Sequence, residues 1–135
     1  MNNRIKILFL TLFFSLPLSA QQDKILSMPM IRALQSADFD PIMPYMNDRL
    51  EITLPDENLN IVSKKQAKAV LCDYFKKNKM LFAGFQKRTI HKNLQTLTYI
   101  SKTINKTFTI FVVIKNDKII GIKISVENIV FTPNE

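Results

Sequence analysis

His91 is the only histidine of this 135-residue chain and Cys72 its only cysteine, so the side chains that most often do acid–base, thiol or metal chemistry are each present once. One of each cannot build a four-ligand zinc site within a single chain. Asp38, Asp40 and Asp48 lie near one another but lack the calcium-loop spacing and its glycine, and helix capping accounts for the first two. Cradling a phosphate in a glycine-rich loop is excluded, because Gly84 and Gly121 are the only glycines and both fall inside strand-like stretches. A serine nucleophile would need a base, and His91, beside Lys92 at a strand end, has no partner to orient it. His91 is therefore expected on the surface. Asn105-Lys106-Thr107 matches a glycosylation acceptor but falls on a tight hairpin. No metal and no cofactor is expected.

The elements that would position such residues read clearly. Lys24 to Ala37 spaces Ile25, Met28, Ile31 and Leu34 on one helical face, with Ser27 as cap and Pro29 in the first turn, where its missing N–H costs little. Asp40-Pro41 then pairs an N-cap with a first-turn proline and predicts a short helix through Met46, limited by Pro44. Arg49 to Leu54 alternates, with Leu50, Ile52 and Leu54 on one face, and Leu59 to Val62 returns after the turn at Pro55–Asn58. Ser63-Lys64-Lys65-Gln66 is a capping box, opening a helix to about Asn78 with Ala67, Val70, Leu71, Tyr74 and Phe75 at core spacing and Cys72 off that stripe.

Four strands follow, near Leu81–His91, Leu94–Ile104, Thr107–Lys115 and Lys118–Val126, joined at Lys92-Asn93, Asn105-Lys106 and Asn116-Asp117. Each turn carries an Asn able to take positive φ. If every turn holds two residues, one face collects Phe85, Ile100, Phe111, Val113, Ile120, Ile122 and Ile124, and the other Phe82, Ile90, Leu97, Tyr99, Phe108, Ile110, Val112, Ile114 and Ile119. Both faces are then apolar. One packs the helices, and the other is expected to meet a second copy in a homodimer. A bulge would invert this parity.

Met1 to Ala20 has the pattern of an export signal: Arg4 and Lys6, then the apolar run Ile7–Leu16, then Pro17-Leu18-Ser19-Ala20 before polar Gln21. The expected mature chain, Gln21 to Glu135, suits one domain, without a disulfide and without an integral membrane segment, in the periplasm or outside the cell. Its charge is uneven: Gln21 to Val62 holds 3 basic and 7 acidic residues, Ser63 to Glu135 holds 14 and 4. The lysines lack an aromatic-interleaved stripe, so no nucleic-acid partner is expected. Docking on acidic polymers or headgroups would require Lys64, Lys65, Lys68, Lys76, Lys77 and Lys79 to form one patch.

Helices, a short hairpin and a long meander follow the order of the nuclear transport factor 2-like fold. The stretches Ile31–Asp38, Pro44–Ile52, Ser63–Ala67 and Asp73–Asn78 resemble a family of small exported bacterial proteins of unknown function built on it. The resemblance implies an α+β cone, with N-terminal helices packed on a bent antiparallel sheet that ends in a four-stranded meander. Enzymes of this fold often set an Asp/His or Asp/Tyr pair inside the cone, where burial tunes proton transfer. The resemblance makes Tyr74, His91 and Tyr99 the pocket candidates here, with Asp73 a weaker fourth. The function expected is an exported, non-catalytic binding or interaction protein, with a small apolar ligand in the cone. The alternative is a small isomerase or dehydratase using a cavity His or Tyr.

Overall fold

The computed structural model describes residues 26–78, 80 and 83–129. The expected export signal, the expected helix start at Lys24, Lys79 and the expected meander start at Leu81 and Phe82 lie outside the described residues. Helix α1 (Met28–Gln35) is capped by Ser27, whose hydroxyl accepts from Met30 N, with Pro29 in the first turn. It buries Ile31 and Leu34, while Met28, expected on the same face, is 38% exposed. The helix expected from Asp40 is instead a turn followed by a short 3₁₀ helix at Met43–Tyr45. Asp40 caps nothing: its N–H donates to Asp38 Oδ1 and its carboxylate pairs with Lys68.

Strands β1 (Met46–Leu54) and β2 (Glu57–Ser63) form the short hairpin, with Leu50, Ile52 and Leu54 buried as the alternation requires. Helix α2 (Lys64–Lys77) opens on the full capping box, with Ser63 Oγ accepting from Gln66 N and Gln66 Oε1 accepting from Ser63 N. It buries Ala67, Leu71, Tyr74 and Phe75, with the Phe75 ring edge-on to Phe39 at 5.0 Å. Strands β3 (Gly84–His91), β4 (Leu94–Ser101), β5 (Lys106–Lys115) and β6 (Lys118–Asn128) complete a six-stranded sheet of order β2-β1-β6-β5-β4-β3. The sheet is antiparallel except where β1 runs parallel to β6.

Two of the three meander turns hold two residues: Lys92-Asn93, with Lys92 at φ 54°, and Asn116-Asp117, with both residues at positive φ. The middle turn is wider. Ser101 pairs with Lys106, so Lys102 to Asn105 form a four-residue connection rather than the expected Asn105-Lys106 pair.

Two bulges overturn the expected faces. Between Val113↔Gly121 and Ile114↔Ile119 the register shifts and Ile120 is left over. Beyond that point Ile122 lies opposite Val112 and Ile124 opposite Ile110, on the side that holds Leu97, Tyr99 and Phe108. A second shift between Phe85 and Lys87 puts Phe85 opposite Tyr99, with ring centroids 5.5 Å apart, instead of opposite Ile100. The inner face therefore gathers nearly all the apolar bulk. The outer face keeps Leu94, Ile100, Phe111 and Val113 among Thr96, Thr107, Thr109 and Ser125.

This parity has a direct consequence for stability. Ile122→Ala should cost about 2–5 kcal/mol, as deletions from a packed core do, and Phe111→Ala clearly less. Equal losses in denaturant unfolding would restore the bulge-free register, in which the two share a face.

Candidate functional site

The cone expected to form a pocket is the space between the inner sheet face and the helices. Leu26, Leu34, Phe39, Ile42, Leu71 and Phe75 close it from one side, and Ile110, Val112, Ile119, Ile122 and Ile124 from the other. What remains open is about 10 Å³, roughly the room of one water, in a lining with no polar group to hold it. The small apolar ligand expected there has no space without displacing core side chains.

The three pocket candidates do not meet. Tyr99 is 2% exposed on β4, and its hydroxyl donates to Ile31 O of α1 at 3.1 Å. Burial raises its phenol far above the ordinary tyrosine range. Tyr74 is buried on α2, its phenol raised by burial and secondarily by the Asp56 carboxylate of the β1–β2 turn. His91 is exposed where β3 ends. Asp73 is exposed as well and pairs with Lys77 at 3.0 Å. A proton-transfer pair needs both groups within hydrogen-bond reach of one substrate atom. Tyr99 and His91 lie on different strands, and Asp73, though next to Tyr74 on α2, is exposed where Tyr74 is buried. Gln95, buried on the inner face of β4, escaped the sequence reading. Strand alternation with Leu97 and Tyr99 is the only signal that could have marked it.

Cys72 is half-buried, its thiol donating to Ala37 O at 3.4 Å and raised chiefly by burial. That is the environment of an inert thiol. Among the described residues no group of His, Cys, Asp and Glu could hold a metal, and no helix is long and apolar enough to cross a membrane.

Of the six lysines that docking on acidic polymers would require in one patch, Lys79 lies outside the described residues and three others are ion-paired. Lys64 pairs with Asp48 at 3.6 Å, Lys68 with Asp40, and Lys77 with Asp73, so two carboxylates of the acidic N-terminal half are folded onto α2. The surface of the described residues carries several hollows, one of about 440 Å³ bounded by Gly84, Phe85, Ile100 and Lys102, and two others that bear on recognition. One, of about 190 Å³, lies on the outer face over Gly121 and is bounded by Glu51, Thr53, Val113 and Lys123. The other, of about 240 Å³, lies between the end of α2 and the β5–β6 pair.

Residues 28–131 match the model of a domain of unknown function, DUF4783. The chain belongs to that family. A DUF4783 protein from Bacteroides ovatus ATCC 8483 superposes with a TM-score of 0.55 at 17% identity, over 78% of this chain and 97% of that one. A nuclear transport factor 2-like protein of unknown function from Burkholderia xenovorans LB400 gives 0.59 at 13% identity, over 76% and 80%. A SnoaL-like protein of unknown function from Burkholderia thailandensis E264 gives 0.58 at 13%, over 73% and 88%. At these identities the likeness shows the fold alone, which is nuclear transport factor 2-like. No curated protein matches.

Tyr99→Phe isolates the hydroxyl from the ring and should cost about 1 kcal/mol, the net value of one hydrogen bond. With the folded phenol raised above the unfolded value of about 10, the native state keeps its proton longer. This contribution is complete below pH 10 and lost as pH climbs beyond it. Denaturant unfolding from pH 9 to 11 should show a steeper decline for the wild type than for Tyr99→Phe, and parallel declines would refute the assignment.

Proposed function

We propose that this DUF4783 protein is an exported, non-catalytic interaction protein that works through its surface as a homodimer. The observation that supports this reading is the filled cone: about 10 Å³ remains between the layers, and the one candidate hydroxyl facing the helices is already spent on Ile31. Export is carried by the order of charge, apolar run and small residues over Met1 to Ala20. The alternative of a small isomerase or dehydratase is disfavoured, since His91 stands outside the cone and Tyr99 holds its proton tightly.

The outer sheet face is the surface best suited to a second copy. Ile100, Phe111 and Val113 are half-buried in a field of threonines, Val113 lining the hollow over Gly121 and Phe111 lying opposite Lys123 at its edge. Glu51 and Lys123 flank that hollow with opposite charges. A two-fold axis brings each patch against itself, so the Phe111 ring of one copy can enter the other's hollow while Glu51 and Lys123 exchange partners.

Sedimentation equilibrium of the chain from Gln21 tests this. The wild type should be a dimer and Phe111→Glu a folded monomer. Gly121→Ala should fold normally, because the added Cβ meets Glu51 O at 3.7 Å and Val113 Cβ at 3.8 Å, ordinary contacts, yet it should weaken association by filling the hollow. A wild type that stays monomeric at millimolar concentration would end the proposal.

A further inference from the structure

We propose that the groove at the end of α2 binds a small amphiphilic anion, a carboxylate or phosphate monoester carrying a short apolar chain. Lys77, Asn78, Ile104, Lys106, Phe108 and Val126 line it, around about 240 Å³. That is below the usual range for drug-sized ligands, which limits the chain to a short one.

The register explains how the groove acquires both characters. Lys106 pairs with Asn128 and Phe108 with Val126, so these four share the inner face of β5 and β6. Glu127 lies opposite Thr107 and so falls on the other face. Lys106 is a half-buried residue beside an apolar floor, and no carboxylate is in ion-pair range of it among the described residues. An unpaired cation at the edge of an apolar surface gains from an anion that also covers that surface.

The opposite wall supports the same charge. Lys77 stands in the last turn of α2, held only by an exposed contact to Asp73, of a type worth little. The carbonyl of Tyr74 there is already covered by the Asn78 backbone and side-chain N–H groups, which blunts the negative end of the helix. An acyl chain would then lie along the half-buried Ile104 and Val126, over the buried Phe108, with its head between Lys106 and Lys77.

The groove is at the rim of the inner face, away from the outer face that carries the proposed dimer, so neither proposal rests on the other. The test is an amide-shift NMR titration of the chain from Gln21 with octanoate, octyl phosphate, octyltrimethylammonium and inorganic phosphate, with sedimentation of the same samples reporting the dimer separately. Octanoate and octyl phosphate should move Ile104, Lys106, Phe108 and Val126 saturably, and octyltrimethylammonium should not. Lys106→Gln should weaken the anionic amphiphiles roughly tenfold, the loss of one charge-assisted contact, and Lys115→Gln should leave them unchanged. The proposal is overturned if the groove amides stay still, if the cationic amphiphile or inorganic phosphate binds as well, or if Lys106→Gln behaves as wild type. Binding to phosphatidylglycerol vesicles without binding to free octanoate would also overturn it, since the lysines would then be serving a membrane surface.

Discussion

One unpaired residue in β6 decides what the rest of the sheet can be. With Ile120 left over, Ile119, Ile122 and Ile124 all turn toward the helices and join Ile110 and Val112. Without it, Ile122 and Ile124 would stand on the outer face and the interior would lose two of its largest strand side chains. The same shift coincides with an irregularity where β1 meets β6, between the Met46↔Ile119 and Glu51↔Gly121 pairs. The bulge therefore shapes the join between the hairpin and the meander as well as the core.

The filled cone follows from that parity. Side chains from α1, the 3₁₀ segment and α2 meet a continuous apolar sheet face, and close packing leaves little space between them. Tyr99 supplies the one described hydrogen bond from a buried side-chain hydroxyl across the layers, to Ile31 O, and fixes α1 over the sheet. Arg88 on β3 donates to Leu26 O and ties down the entry to α1. Asp40 and Asp48 of the acidic half meet Lys68 and Lys64 of α2. What remains for recognition is outside the cone.

The local signals in the sequence were legible because each rests on neighbours in the chain. Ser63 with Gln66, Ser27 ahead of Pro29, the Leu50/Ile52/Leu54 alternation and the positive-φ turn at Asn116-Asp117 all depend on a few adjacent residues. The faces of the meander were not legible, because strands apolar at nearly every position carry no period-two signal that a one-residue shift would violate. The four-residue turn was missed for a related reason: Asn105 does take positive φ, but at the end of the connection. Asp40-Pro41 misled because a local Asx turn and an ion pair to Lys68 compete with capping for the same carboxylate. Of the site, the surface place of His91 was legible and the separation of Tyr74 from Tyr99 was not, because it depends on how α2 crosses the sheet. The groove at Lys106 depended on the middle turn and was equally hidden.

The central claim is that the interior of this DUF4783 fold is core and not a binding cavity. Titrating the methyl-labelled chain with xenon or benzene and following the methyl resonances of Leu71, Ile110, Val112 and Ile122 tests it directly, because dry apolar cavities of ligand size take up such probes. The filled cone predicts no saturable shift at any of these methyls. Saturable shifts at all four would show an interior that opens to apolar ligands and would contradict the claim.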